Sequence, residues 1–308
     1  MKDLILYPKK VKFDYETVKL IDRILELERF IDDNYNFEDK PFILEQALAN
    51  PTIFNLVLDD LERNQKEKLE LLRDFVSSGS KILLIVGERG SGKSSLASYL
   101  SYLVHQEGRP VYYYLSLEVP PFAKKVFSLS KVEDGSFLVF DESSVFLNSR
   151  DSMTDNNKTI VSYLPILRHR DLSILFITQN TSLIDINTIR LADGIFFKYM
   201  NEFSISYERE ELFNPIVKQL LPTYGDKSEV LLYSPKLIMK FNYELPDFYD
   251  DKLSKSYRKI KNEKEAKELI EALFNEGYEP KDVKKILSIL GFEKPLNYYK
   301  ELYKKMGW

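Results

Sequence analysis

Apolar positions recur along this chain with two different periods, and the switch between them marks its organisation. From Tyr15 to Phe30, residues Val18, Leu20, Ile21, Ile24, Leu25, Leu27 and Phe30 fall at spacings of three and four, an amphipathic helical stripe. Pro41 and Pro51 stand where a helix can start, and the pattern predicts one long polar-faced helix from Thr52 to Phe75, stopping at Ser77-Ser78-Gly79-Ser80. From Lys81 to about Leu221 short apolar runs alternate with helical stretches, the sign of a parallel sheet. Strands are expected at Ile82–Val86, Val111–Leu115, Phe137–Phe140, Ile174–Thr178 and Gly194–Lys198, with Pro120-Pro121 interrupting after the second. Asn148 to Asn157 is polar and aperiodic, which reads as a mobile or partner-facing loop.

Two further runs, Glu229–Tyr233 and Leu237–Phe241, predict a hairpin around Ser234-Pro235. Glu244 to Tyr257, with Pro246 and several acids, reads as a linker. Beyond it the helical period returns in three short stretches: Glu265 to Asn275, Pro280 to just before Gly291, and near Pro295 to Lys305. Ala272, Leu273, Val283, Ile286, Leu287, Leu290, Leu296, Tyr299 and Leu302 give these helices a small core. The unit suits a helix-turn-helix DNA reader, and it equally suits a helical cap or an oligomerisation bundle. The expected fold is therefore α/β: a core with a mainly parallel sheet at residues 80–243, a helical region at 1–79, a linker at 244–263 and a three-helix unit at 264–308.

Composition changes this picture little, except at the C-terminus. Between Lys252 and Trp308 there are 14 Lys/Arg against 9 Asp/Glu, whereas the whole chain carries a net charge of −4. A small basic module on an acidic body points to a polyanionic partner or to a solvated lysine-rich surface. The absence of cysteine rules out disulfides and thiolate metal sites, and His105 and His169 are too far apart in sequence to suggest a metal pair. Met1 to Tyr15 has no apolar signal-like core and no run reaches membrane-spanning length, so a cytoplasmic location is expected.

The chemistry is concentrated in Gly87-Glu88-Arg89-Gly90-Ser91-Gly92-Lys93-Ser94, a G-x-x-x-x-G-K-[ST] match between a buried-type strand and a helix. Glycines there let successive backbone N–H groups turn inward round a polyphosphate, and the helix N-terminus adds about half a positive charge. The phosphate-binding stretch extends through Ser95. Lys93 is expected to reach the β- and γ-phosphates, and the Ser94 hydroxyl to enter a magnesium shell. About fifty residues on, Phe137-Leu138-Val139-Phe140 ends in Asp141 and Glu142. Asp141 is the expected second magnesium ligand, and Glu142 stands where a base can activate the attacking water.

The strand Ile174–Thr178 is expected to end between the two phosphate-binding strands, where Gln179 could bond the lytic water or the γ-phosphate. Thr178 or Asn180 could fill that role instead. Arg168 and Arg170, just upstream, are candidates for a guanidinium that reaches a neighbouring subunit's γ-phosphate, an arrangement worth ~10³–10⁵ in rate elsewhere. The alternative is that they pair with Asp171 or other nearby acids. Guanine recognition is disfavoured, because Asn157-Lys158-Thr159-Ile160 fails the N-K-x-D pattern at its last position. The expected ligands are ATP and Mg²⁺.

Three segments, GERGSGKSS at Gly87–Ser95, FLVFDESS at Phe137–Ser144 and RHRDLSILFITQN at Arg168–Asn180, resemble the FtsK–HerA superfamily of P-loop ATPases. Within it they are most similar to the branch of Zot-like and viral DNA-packaging ATPases. Leu183 to Arg190, followed by a strand, looks like the same branch. The resemblance covers residues 81 to about 200 and implies a RecA-like P-loop core and ATP hydrolysis, usually in ring hexamers, that moves, extrudes or packages DNA, in a protein of a virus or mobile element. It also implies that Gln179 senses the γ-phosphate and that Arg168 or Arg170 acts on a neighbouring subunit. Zot-like proteins of filamentous phages commonly carry a membrane span, which this chain lacks. A replication initiator or loader of AAA+ type, and an assembly ATPase that binds protein through its terminal helices, are the rival readings. The AAA+ class expects a helical lid where this chain has strand-like runs.

Overall fold

The computed structural model describes residues 49–114, 116–140, 169–181, 184, 186–209, 212–213, 215–250, 253, 260 and 262–307, together with residues 15, 18 and 19. The stripe from Tyr15 to Phe30, the start at Pro41 and the loop from Asn148 to Asn157 lie wholly or almost wholly outside these residues.

Where the pattern predicts one helix over Thr52–Phe75, two are present: α1 (Pro51–Glu62) and α2 (Gln65–Ser77). Asn64 makes the break. Its side chain accepts from the Glu67 N–H at 3.0 Å, and the Glu67 carboxylate accepts from the Asn64 N–H at 3.1 Å. That reciprocal cap satisfies two otherwise orphaned donors and restarts the helix after an extended Arg63.

The next elements are β1 (Ile82–Val86), α3 (Lys93–Gln106), β2 (Val111–Tyr114), β3 (Lys124–Val126), β4 (Phe137–Phe140) and β5 (Ser173–Thr178). Then come α4 (Ile186–Arg190), β6 (Gly194–Phe197), α5 (Glu202–Ile205), α6 (Pro215–Leu220), β7 (Glu229–Tyr233) and β8 (Ile238–Asn242). The eight strands form one sheet in the order β3-β2-β4-β5-β1-β6-β7-β8. Its pairs from β3 to β6 are all parallel, while β6–β7 and β7–β8 are antiparallel. The hairpin expected at Glu229–Phe241 is present and extends the sheet.

Burial on both faces explains why the central strands read as unbroken apolar runs rather than as alternating ones. On one face Leu83, Ile85, Val139, Leu175, Ile177 and Phe196 pack with Leu72 and Val76 of α2 and Leu96, Leu100 and Val104 of α3. On the other, Leu84, Val86, Phe140, Phe176 and Phe197 share a cluster with Val57 and Leu58 of α1.

That second cluster also takes in the C-terminal helices α7 (Glu263–Asn275), α8 (Pro280–Ile289) and α9 (Leu296–Lys305) through Ile270, Leu273, Phe274, Leu287 and Tyr299. The helices are fastened beside β3, where Lys131 lies over the Tyr278 ring at 4.1 Å and pairs with Glu276 at 3.8 Å. Among the described residues no helix is long and apolar enough to cross a membrane.

Candidate functional site

All the parallel strands run the same way, so β1, β4 and β5 end at one edge of the sheet. The glycine loop springs from that edge between Val86 and α3. Two of its glycines are required by what lies beside them. A Cβ on Gly87 would sit 2.6 Å from the Lys198 Cβ and 2.9 Å from the Ser91 Oγ. Gly92, the N-cap of α3, has φ +92°, and a Cβ there would meet the Lys227 carbonyl at 3.2 Å. Glycine is demanded at the first by collision with Lys198 and at the second by a left-handed backbone that side chains rarely adopt.

Lys93 arches back over the loop, its Nζ donating to the carbonyls of Gly87 at 2.9 Å and Glu88 at 2.7 Å. An ammonium thus sits in the concavity at a helix N-terminus, where an anion is favoured. Ser94 lines a small cleft with Ser98, Tyr113, Glu118 and Ile177. Arg89 and Gly90 are exposed at the rim.

Other loop residues are already engaged in holding the loop in place. The Glu88 carboxylate accepts from the Asn201 N–H at 2.6 Å and the Ser204 hydroxyl at 2.9 Å, and the Glu88 N–H donates to the Tyr199 carbonyl at 3.1 Å. Ser91 Oγ donates back to the Glu88 carbonyl at 2.8 Å. Ser95 Oγ donates to the Gly92 carbonyl and lies 2.8 Å from the Tyr243 hydroxyl, so it joins the start of α3 to the strand hairpin. The side chains of Glu88, Ser91 and Ser95 are structural ties, and what they leave for a phosphate is backbone N–H.

β5 lies between β4 and β1, with Thr178 in register with Val86, and its last residues reach the glycine-loop edge as the sequence predicts. Gln179 is exposed there. Thr178 Oγ1 donates to the Asn180 carbonyl and accepts its N–H, a local turn that absorbs the hydroxyl, so Gln179 and Asn180 remain the candidates at this strand end. The turn is held from beyond by Glu208. Its buried carboxylate accepts from the N–H and hydroxyl of Thr181, and burial raises its pKa. Asp141, Glu142 and Arg168 lie outside the described residues.

Arg170 is at the other end of β5, the edge remote from the glycine loop. Its Nε donates to Asp134 at 2.6 Å, and its other nitrogens bond the carbonyls of Val132 and Leu129. Its partner is therefore a nearby acid of its own chain, the alternative left open by the sequence. Arg109 is bound more heavily at the same edge. It donates to the carbonyls of Ser77, Gly79, Gly135, Ser136 and Asp171 at 2.8–3.4 Å.

One residue at the loop edge was not singled out by sequence reasoning. Lys198 ends the apolar run Gly194–Phe197 and is fully buried, its Nζ donating to the carbonyls of Lys227 and Glu229, each at 2.7 Å. Burial lowers its pKa from 10.5 to about 8, partly offset by Asp226 and Glu229. The signal was available: a lysine closing a buried strand must find acceptors.

A parallel sheet with these strands central, and a glycine loop leading from β1 into α3, defines the P-loop nucleotide-binding class of α/β fold. No family model and no curated protein matches the chain. Solved structures do. The genome packaging NTPase of Sulfolobus turreted icosahedral virus 2, in complex with sulfate, is 16% identical with a TM-score of 0.44 over 55% of this chain and 98% of that one. The same NTPase in complex with ATPγS gives 16% identity and 0.42, over 54% and 98%. The N-terminal domain of zonular occludens toxin from Neisseria meningitidis gives 17% and 0.35, over 58% and 99%. Likeness at this level carries no argument, and the functional reading below rests on this chain's own residues and motifs.

Proposed function

We propose that the protein is an ATPase that uses hydrolysis to translocate or package DNA. The observation that carries the nucleotide part is Lys93, whose ammonium bridges the Gly87 and Glu88 carbonyls inside a glycine loop at a helix N-terminus. A triphosphate offers that ammonium and the loop N–H groups stronger, charged acceptors than two carbonyls. Ser94 and Asp141 would hold a magnesium ion, which neutralises phosphate charge. Glu142 would take the proton of the attacking water, and Gln179 would orient that water or the γ-phosphate. With Arg170 committed to Asp134, Arg168 is the stronger candidate for a residue reaching a neighbouring subunit in a ring.

The DNA part rests on the resemblance carried by Arg168–Asn180 and on the C-terminal helices. Lys281, Lys284 and Lys285 of α8 and Lys300, Lys304 and Lys305 of α9 are exposed, interrupted by Asp282 and Glu301. The strand pair β7–β8 follows the core where an AAA+ protein carries a helical lid, which argues against that rival.

The test is ATP turnover by the full chain with and without double-stranded DNA. Acceleration by DNA, with binding that weakens steeply as salt rises, supports the motor. Deleting the C-terminal helices is a poor companion experiment, because Leu273, Phe274 and Tyr299 are buried in the same cluster as the sheet. Changing Lys284, Lys285, Lys304 and Lys305 to Glu preserves that packing and should abolish the DNA effect. Turnover indifferent to DNA, with no measurable DNA binding, supports the assembly ATPase instead.

A further inference from the structure

The glycine loop accounts for the phosphates of a nucleotide and says nothing of its base. Two flanks of β1 are available. On one, β5 brings Gln179 to the loop, and in the proposed reading the γ-phosphate lies on that side. The other end of the ligand must then leave over the opposite flank, beside β6. What the structure offers there is aromatic.

Tyr199 follows Lys198 at the end of β6, and its carbonyl accepts from the Glu88 N–H of the glycine loop at 3.1 Å. Its ring lies 5.1 Å from that of Tyr224, with the two planes at 66°. Tyr224 sits in the turn before β7, and at 80% exposure its side chain contributes almost nothing to the core. Isolated exposed tyrosines are ordinary. This pair stands out because the segment carrying Tyr224 is fixed against the glycine loop.

That fixing has three parts. Buried Lys198 holds the carbonyls of Lys227 and Glu229. The Asp226 carboxylate accepts from the N–H and hydroxyl of Ser228 and the N–H of Glu229, which sets the turn. The Lys227 carbonyl lies 3.2 Å from where a Cβ on Gly92 would be, so the turn abuts the start of α3 directly. An exposed aromatic side chain on a pre-set turn beside a phosphate loop loses little freedom when a flat ring settles on it.

We propose that Tyr199 and Tyr224 form the platform for the base of a bound purine nucleoside triphosphate, the exposed Tyr224 ring supplying the stacking face and Tyr199 bracing it edge-on. The proposal rests on the reading of the glycine loop as a triphosphate site and adds the other end of the ligand. Stacking of a base on an aromatic side chain is sequence-tolerant, so the platform favours bases over no base and gives little choice between adenine and guanine.

The test compares two ligands, MgATP and magnesium tripolyphosphate, by titration calorimetry on the full chain. With both Tyr199 and Tyr224 changed to Ala, ATP affinity should fall about tenfold or more. Tripolyphosphate, which has no base, should bind as it does to the unsubstituted protein, and Tyr→Phe at both positions should restore ATP affinity. Lys93→Ala should weaken both ligands. Unchanged ATP affinity in the double Ala variant overturns the platform while leaving the phosphate site standing. An equal loss for ATP and tripolyphosphate also overturns it, since the pair would then act through the shape of the loop. If the unsubstituted protein binds neither ligand, the nucleotide reading falls and the platform with it.

Discussion

The two edges of this sheet both gather cations, and they use them in opposite ways. At the edge remote from the glycine loop, Arg109 spreads its guanidinium over five backbone carbonyls, and Arg170 is tied to Asp134 and the carbonyls of Leu129 and Val132. At the glycine-loop edge, Lys93 rests on the carbonyls of the same loop that would cradle an anion. A planar guanidinium with every donor spent on fixed backbone closes loops together, whereas a flexible ammonium can exchange two carbonyls for phosphate oxygens. Lys198 qualifies the contrast, because it sits at the ligand edge yet holds fixed carbonyls. What a cation does here depends on its present partners more than on its distance from the site.

Removing Lys93 should have the largest effect, since it deletes the side-chain ammonium from the loop. Lys93→Ala should weaken ATP binding about a hundredfold, as expected for loss of charged hydrogen bonds, with the melting temperature little changed. An affinity close to that of the parent would erase the difference between the edges.

Glu142→Gln separates binding from chemistry at the same edge. ATP should bind as before while turnover drops by about 10²-fold or more, the usual contribution of a positioned base. Rapid-quench measurement of a single turnover checks this, and a wild-type rate would remove Glu142 from the mechanism.

Arg109→Ala should do the reverse, lowering stability by about 1–2 kcal/mol in denaturant unfolding as five carbonyls, part-buried or exposed, lose their donor, with ATP affinity per folded molecule unchanged. Arg109→Lys should recover little, because an ammonium cannot span five acceptors. The smallest effect is expected at Arg170, whose partner Asp134 is largely exposed. Arg170→Ala should cost about 0.5–1 kcal/mol and leave turnover intact. A large loss of turnover at unchanged stability, restored by mixing with Lys93→Ala subunits, would instead make Arg170 a residue that serves its neighbour.

pH gives a further check through Lys198. Its folded pKa of about 8 lies below the ordinary 10.5, so the unfolded chain binds the extra proton between these values. The contribution of this group to stability should therefore rise with pH from about 8 towards 10.5. Lys198→Met should flatten that part of the profile, and an unaltered slope would mean that another group carries it.

Much of this architecture is legible in the chain because burial on both faces leaves unbroken apolar runs such as Ile82–Val86, and because the loop motif has a fixed grammar. Strand β3 is not legible. In Lys124-Lys125-Val126 only the valine is buried, so this edge strand shows neither a run nor an alternation. The split between α1 and α2 was written at Asn64 and Glu67, a capping pair that the continuous polar face around it obscured. That Arg170 pairs with an acid of its own chain was one of the two sequence readings, but which acid could not be read. Asp134 is 36 residues away in sequence, and only the parallel pairing of β4 with β5 brings the two together.

Amide hydrogen exchange of the full chain, with and without MgATP, tests the contrast between the edges most directly. The nucleotide should slow exchange at residues 87–95, at 179 and across 223–228, while 77–79, 134–136 and 170–172 exchange as before. Protection spread equally over both edges, or absent from 87–95, would contradict the account.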